Sequence, residues 1–209
     1  MDNFLAIDTA NAYLTVIAQK DGRAAAVFEE DCAAQHSVRL MDAVGEALAR
    51  AGLSLNECEC FAAVTGPGSF TGIRIGISAV KGLCAALGKP SLGITTFQTL
   101  AYNAEAKALA VVPAGRAGWY VCGFAGGKEV LPPRLAGEEE LSALAREYAV
   151  YSRAELPVPY TLSDPAAGLL AAVRAARVQD CGPVGALYIQ KSQAERDREA
   201  RVGMPSARP

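Results

Sequence analysis

The chain opens with short apolar runs separated by polar breaks. Residues 3–9 (NFLAIDT), 13–18 (YLTVIA) and 23–31 (RAAAVFEED) read as three strands, and Asp21-Gly22 between the last two is a hairpin turn signal. The period then changes. Over 35–51 the apolar residues Val38, Met41, Val44 and Leu48 recur at helical spacing, with Arg50 near the end and Gly52 as a stop. Residues 60–65 (CFAAVT) are apolar without alternation, as expected of a strand covered on both faces. After GPGSFTG a second helix is expected from a Ser69 cap to about Leu87, closed by Lys89-Pro90. Residues 91–94 (SLGI) form another buried strand, and a further helix begins at a Thr95 or Thr96 cap.

From about residue 99 a second unit starts. ALAVVPAGRAGWYVCGFAGGKEVL reads as two or three strands, with turns at Ala114-Gly115 and Gly126-Gly127. EEELSALARE gives a short helix, AVYSR a strand and 165–177 an Ala-rich helix, before a polar tail expected to fray. This order predicts a mixed α/β chain of two lobes. Residues 1–98 form a ribonuclease-H-like lobe with two candidate partner-binding helices, and 99–209 form a smaller second lobe. Two such lobes in tandem make the actin-like, sugar-kinase architecture.

Composition narrows the classes. The 209 residues are 51% hydrophobic and 20% charged, enough for a sizeable core, and the net charge of −2 gives no sign of a free-standing RNA binder. The six cysteines (32, 58, 60, 84, 122 and 181) form no CxxC pair and read as reduced, with Cys84 expected in the core. No secretory signal is read at MDNFLAIDTA, and no apolar run of about 18 residues is read as a membrane span. A cytoplasmic chain is expected.

The segment Val64–Leu100 carries most of the information. Gly66, Gly68 and Gly72 allow a tight turn or close packing, and the helix start behind them offers amides to an anion. On spacing alone, turn and packing are the better account. Thr71 breaks G-x-G-x-x-G, no Gly-Lys-Ser/Thr is present, and Pro67 and Thr71 occupy the glycine places of a nucleophile elbow around Ser69. Ser69 is therefore read as a cap or a ligand contact.

The helix after this loop has two apolar stripes. Phe70, Ile73, Ile77, Val80, Cys84 and Leu87 line one side, and Ile75, Ala79, Leu83 and Ala86 another. A surface helix needs only one. Either the second lobe covers the extra stripe or a partner does. Ile75, Ala79 and Leu83, with Val38 and Met41 from the preceding helix, are the candidate interface. Asp8, at the end of the first strand, occurs where actin-like proteins hold a metal–phosphate group; taken alone it is a turn aspartate. His36 is the only histidine, which removes any two-histidine metal site, and its place at a helix start suggests a cap neighbour or surface residue. Glu29-Glu30-Asp31 and Glu138-Glu139-Glu140 read as solvated charge or helix starts.

GPGSFTGIRIGISAVKGL resembles the TsaB (YeaZ) family. LAIDTA, QHSVRL, GITTFQTLA, PAGRAGWY and LYIQKSQAE are similar to the family's opening strand, first helix start, post-helix segment, hairpin, and closing strand and tail. Pro113 and Gly118 stand where that hairpin usually has acids. The resemblance implies a paralogue of TsaD, the subunit that transfers threonylcarbamoyl to a tRNA adenosine. TsaD holds a metal through H-x-x-x-H; here Leu40 follows His36 at that spacing. The resemblance further implies that the chain has no catalytic centre of its own. It pairs with a TsaD-type subunit through the two N-lobe helices, is joined by a TsaE-type ATPase, and forms a homodimer on the same face when alone. It meets tRNA only through the complex and binds no membrane. No cofactor is certain, with ATP a candidate at the complex interface. The alternative is a small actin-like ATPase or kinase binding Mg-ATP at Asp8, Gly66, Gly68 and Ser69. A hydrolase using Ser69 or a cysteine is a third and weaker reading.

Overall fold

The computed structural model describes residues 1–102, 104 and 107–190. Strands β1 (Phe4–Asp8), β2 (Leu14–Lys20) and β3 (Arg23–Glu29) form the opening meander. Asp21 and Gly22 both have positive φ, 49° and 78°, as a two-residue hairpin matching the strand twist requires. Helix α1 (His36–Ala51) ends on Gly52 in the left-handed conformation. Strand β4 (Cys60–Val64), helix α2 (Phe70–Leu87) and strand β5 (Ser91–Ile94) complete the first unit. Its sheet order is β3-β2-β1-β4-β5. The meander pairs antiparallel, while β1–β4 and β4–β5 pair parallel. Every residue of β1 and β4 is buried, which explains their unbroken apolar runs.

The second sheet repeats the first. Strands β6 (Ala108–Pro113), β7 (Trp119–Ala125) and β8 (Lys128–Ala136) form a meander, followed by helix α4 (Glu138–Leu144), β9 (Ala149–Ser152) and β10 (Thr161–Leu162). The order is β10-β9-β6-β7-β8, with β6–β9 and β9–β10 parallel. Strand by strand this is the first sheet again, the arrangement of a two-lobed, actin-like, ribonuclease-H-like fold. The shortening is local: residues 153–160 between β9 and β10 contain no helix where the first unit has the 18-residue α2.

Helix α3 (Thr96–Ala101) is started by a capping box of Thr95 and Gln98, and helix α5 (Pro165–Ala175) by Asp164. The two pack so closely that a Cβ on Gly168 would stand 1.8 Å from the Thr99 carbonyl oxygen. Helices α1 and α2 lie side by side on one face of the first sheet, and α5 packs on the other. There Arg174 bonds Gln19 and the Gly22 carbonyl, tying the C-terminal helix to the opening hairpin.

Three expectations need correcting. Helix α2 stops at Gly88, which takes the left-handed conformation before Lys89-Pro90 is reached. By length and composition alone α2 is also apolar enough to cross a membrane. The expected closing strand at LYIQKSQAE is irregular over 187–190, and its remainder lies outside the described residues, as does the fraying tail beyond. The path up to Gln190 is fixed by bonds from the Gly182 N–H to Ser91 and from the Leu187 N–H to Thr65.

Candidate functional site

The glycines before α2 bring its first turn against the loop after β1. The Ser69 N–H donates to the Ala10 carbonyl at 2.6 Å. A Cβ on Gly68 would stand 2.1 Å from that same oxygen, and one on Gly72 would stand 2.0 Å from the Thr9 oxygen. Ser69 Oγ accepts from the Gly72 N–H at 3.1 Å and so caps the helix. Two of the amides expected to face an anion are therefore engaged within the protein. Gly66 is turned the other way: its carbonyl accepts from the Thr96 N–H, and a Cβ there would meet Ile73.

Beside this junction lies a cleft of about 340 Å³ between the two sheets, lined by Gly68, Ser69, Asn11 and Tyr13 on one side and by Leu100, Val112, Pro113 and Arg153 on the other. Arg153 pairs with Glu30 of the first lobe. Asp8 is fully buried next to Tyr13, outside the lining itself. Its Oδ1 accepts from the Ala10 N–H at 2.8 Å, and Oδ2 has no partner among the described residues. Burial raises the Asp8 carboxyl to about 6, against the lowering effect of the Ala10 amide and the neighbouring Tyr13 phenol. Burial and the facing Asp8 charge hold the Tyr13 hydroxyl well above its usual range. Of the four candidate ligand residues, Gly68 and Ser69 thus line one cleft, Asp8 adjoins it and Gly66 does not face it.

His36 departs from expectation. It is buried, and its Nε2 lies 3.0 Å from the Tyr13 carbonyl, which makes that nitrogen the donor. The ring fastens the β1–β2 connection to α1. Cys84, expected in the core, is only half-buried. All six cysteines are free thiols; burial, with neighbouring thiol and carboxylate groups adding to it, pushes Cys60 and Cys122 up to about 12. Such thiols are poor nucleophiles. Among the described residues no group of three His, Cys, Asp or Glu side chains could hold a metal ion.

The second site is the outer face of α1 and α2. Val38 and Met41 are 73% and 55% exposed. Only five of the 18 residues of α2 are buried: Gly72, Ile73, Gly76, Ile77 and Val80. Between the helices runs a groove of about 550 Å³ lined by Met41, Ile75 and Ala79 together with Ser37, Leu40, Phe70, Thr71, Arg74 and Ser78. Val38 and Leu83 lie outside its lining; Leu83, Ile75 and Ala79 are half-buried against the core. Phe70, assigned from spacing to the core stripe, is 42% exposed at the end of the groove. The sequence reading missed Arg74, Tyr188 and Arg153. No local signal marks them, because each takes its place through a residue far away in the chain, Arg74 through Tyr188 and Arg153 through Glu30.

Comparisons with known proteins bear on the family and the fold. The family model described as TsaD, tRNA N6-adenosine threonylcarbamoyltransferase, matches residues 16–180. The tRNA threonylcarbamoyladenosine biosynthesis protein TsaB of Escherichia coli (strain K12) is 40% identical over 103 residues, 49% of this chain and 44% of that protein. The chain spans about half the length of the curated relatives it matches. The structure of YeaZ from Pseudomonas aeruginosa has a TM-score of 0.60 at 27% identity, covering 77% of this chain and 73% of that one. A second Pseudomonas aeruginosa structure, of an uncharacterized protein with similarity to peptidase YEAZ, reaches 0.71 at 23% identity over 91% and 100%, and shows the shared fold. With the family model covering most of its length and TsaB and YeaZ proteins among its relatives, the chain belongs to the TsaB (YeaZ) family.

Proposed function

We propose that this chain is a non-catalytic partner and activator of a TsaD-type subunit in tRNA threonylcarbamoyladenosine biosynthesis, acting in the cytoplasm. The observation that carries the reading is the uncovered apolar face of α1 and α2, with Val38 and Met41 exposed beside a groove floored by Ile75 and Ala79. A contiguous apolar patch on a folded chain marks an interaction surface. The state of the reactive side chains supports a non-catalytic role. The Ser69 hydroxyl is held as a helix cap, His36 is bonded to a backbone carbonyl, and the buried thiols are pushed up. In this reading Leu83 extends the face, a second copy covers it when the paralogue is absent, a TsaE-type ATPase joins the pair, and tRNA is met through the complex.

Co-expression with the TsaD-type paralogue of the same genome, followed by gel filtration with light scattering, tests the proposal. A stable one-to-one complex is expected, with threonylcarbamoyl transfer requiring both chains. Ala79→Arg is expected to abolish the complex and leave a folded monomer. Separate elution under all conditions would remove the reading. One observation favours the alternative, Mg-ATP in the cleft: the buried Asp8 carboxylate lies next to Tyr13, which lines the cleft together with Gly68 and Ser69. Calorimetric titration with Mg-ATP decides it, because saturable binding with turnover by the isolated chain would make the protein an ATPase.

A further inference from the structure

The groove is apolar or small along most of its length and charged at one end. There the Arg74 guanidinium lies 3.7 Å from the centroid of the Phe70 ring. Its Nε–H donates to the Tyr188 hydroxyl at 3.1 Å, and the Tyr188 and Phe70 rings pack with centroids 5.4 Å apart. Both rings are exposed, Phe70 at 42% and Tyr188 at 46%, so core formation does not account for the arrangement. Tyr188 comes from the C-terminal segment, which is fixed on either side of it by the Leu187 N–H bond to Thr65 and by Gln190 against the Tyr120 hydroxyl. Two aromatic side chains from distant stretches thus hold one cation in a fixed pose at the rim of the groove.

No carboxylate among the described residues pairs with Arg74. Arg74 and Lys81 are the only charged residues of α2, so that helix offers positive charge alone. A guanidinium is weakly hydrated, planar and suited to two parallel bonds with a carboxylate. Fixing it beforehand removes the ordering cost a partner would otherwise meet.

We propose that Arg74, seated on Phe70 and tied to Tyr188, is the polar anchor of the groove and receives a carboxylate from an apolar helix of the TsaD-type partner. The inference rests on the docking reading above and adds the chemistry of the partner: an apolar helix whose acidic residue meets the Phe70 end. The anchor sets the register of that helix, because only one position along the groove satisfies the charge.

Calorimetry of the full chain with its TsaD-type paralogue, at low and at high salt, tests this. Arg74→Gln is expected to weaken binding about tenfold and Arg74→Glu further, on the order of a hundredfold, with unchanged melting temperatures. The wild-type affinity should fall more steeply with salt than that of Arg74→Gln. Tyr188→Phe, which frees the guanidinium but keeps the ring, should weaken binding by a smaller factor. If Ala79→Arg abolishes the complex while both Arg74 variants bind like wild type, docking stands and the anchor is wrong. If the Arg74 variants weaken only self-association, the occupant is a second copy and the proposal is overturned. If the wild-type chain does not bind the paralogue at all, the docking reading falls and this inference falls with it.

Discussion

The Thr9 hydroxyl donates to the Gly72 carbonyl at 2.6 Å across 63 residues of sequence, and the Thr9 carbonyl oxygen occupies the space a Gly72 side chain would need. Thr9 thus meets the Gly72 backbone with both its hydroxyl and its carbonyl, and neither the loop after strand β1 nor helix α2 can give way easily. Gly72→Ala is expected to destabilise by about 3 kcal/mol or more, at or beyond the upper end of ordinary overpacking. Gly82 lies in the same helix with nothing within 4 Å of its would-be Cβ. Gly82→Ala should stabilise by about 0.5–1 kcal/mol. Urea unfolding of the two variants checks the pair; equal stabilities would mean α2 is not pinned at its first turn.

Asp8 makes stability fall as pH rises. Its folded value, about 6, lies above the ordinary 3.8, so the folded chain binds the proton more tightly than the unfolded chain. The contribution is fully present below about pH 4 and is lost as pH rises through 6. At pH 7 the buried, half-bonded carboxylate costs on the order of 2–3 kcal/mol. Asp8→Asn keeps an oxygen for the Ala10 amide and removes the charge. The variant should be more stable than wild type at pH 7 and no more stable at pH 4. Denaturant midpoints across that range read the effect, and a pH-independent difference would contradict the assignment.

Val38 and Met41 project from α1 into solvent. Replacing both with Ser should change folding stability by about 0.5 kcal/mol per site or less, as for other exposed positions. The same double variant should weaken the complex with the TsaD-type paralogue by about tenfold or more. Thermal melts beside a binding titration separate the two effects. A large loss of stability would show that this face is packed within the chain.

His36 holds the Tyr13 carbonyl through a buried hydrogen bond. His36→Leu leaves that oxygen without a donor and should cost about 1–3 kcal/mol, while His36→Gln, which keeps an amide donor, should recover part of it. Chemical unfolding at neutral pH measures both. Equal losses would assign the role of the ring to packing alone.

Much of the local structure is legible in the sequence. Ser69, Thr95 and Gly52 mark helix ends because a cap bonds within three residues of itself, and Asp21-Gly22 fixes its hairpin through its own φ angles. The boundaries of α2 and β5 follow from such adjacent signals. Strand β10 was missed because a two-residue strand has no period to read.

The apolar face that makes a partner plausible was legible as a second stripe on α2, since an excess of apolar positions is visible in one dimension. Its Phe70 end was not. Phe70 keeps the spacing of the core stripe, but it lies at the first residue of the helix and packs on Tyr188, which comes from more than a hundred residues away.

By itself the sequence determined most of the strands and helices, their α/β order and the resemblance to one family, because these rest on periods and caps within a few residues. The tertiary structure alone decided that Gly68 and Gly72 serve close packing against Thr9 and Ala10, that Asp8 is buried half-bonded, and that α5 returns to the first sheet. It also decided that Arg74 lies between Phe70 and Tyr188. Each of these depends on which atoms from remote stretches share a volume, and no local pattern encodes that distance.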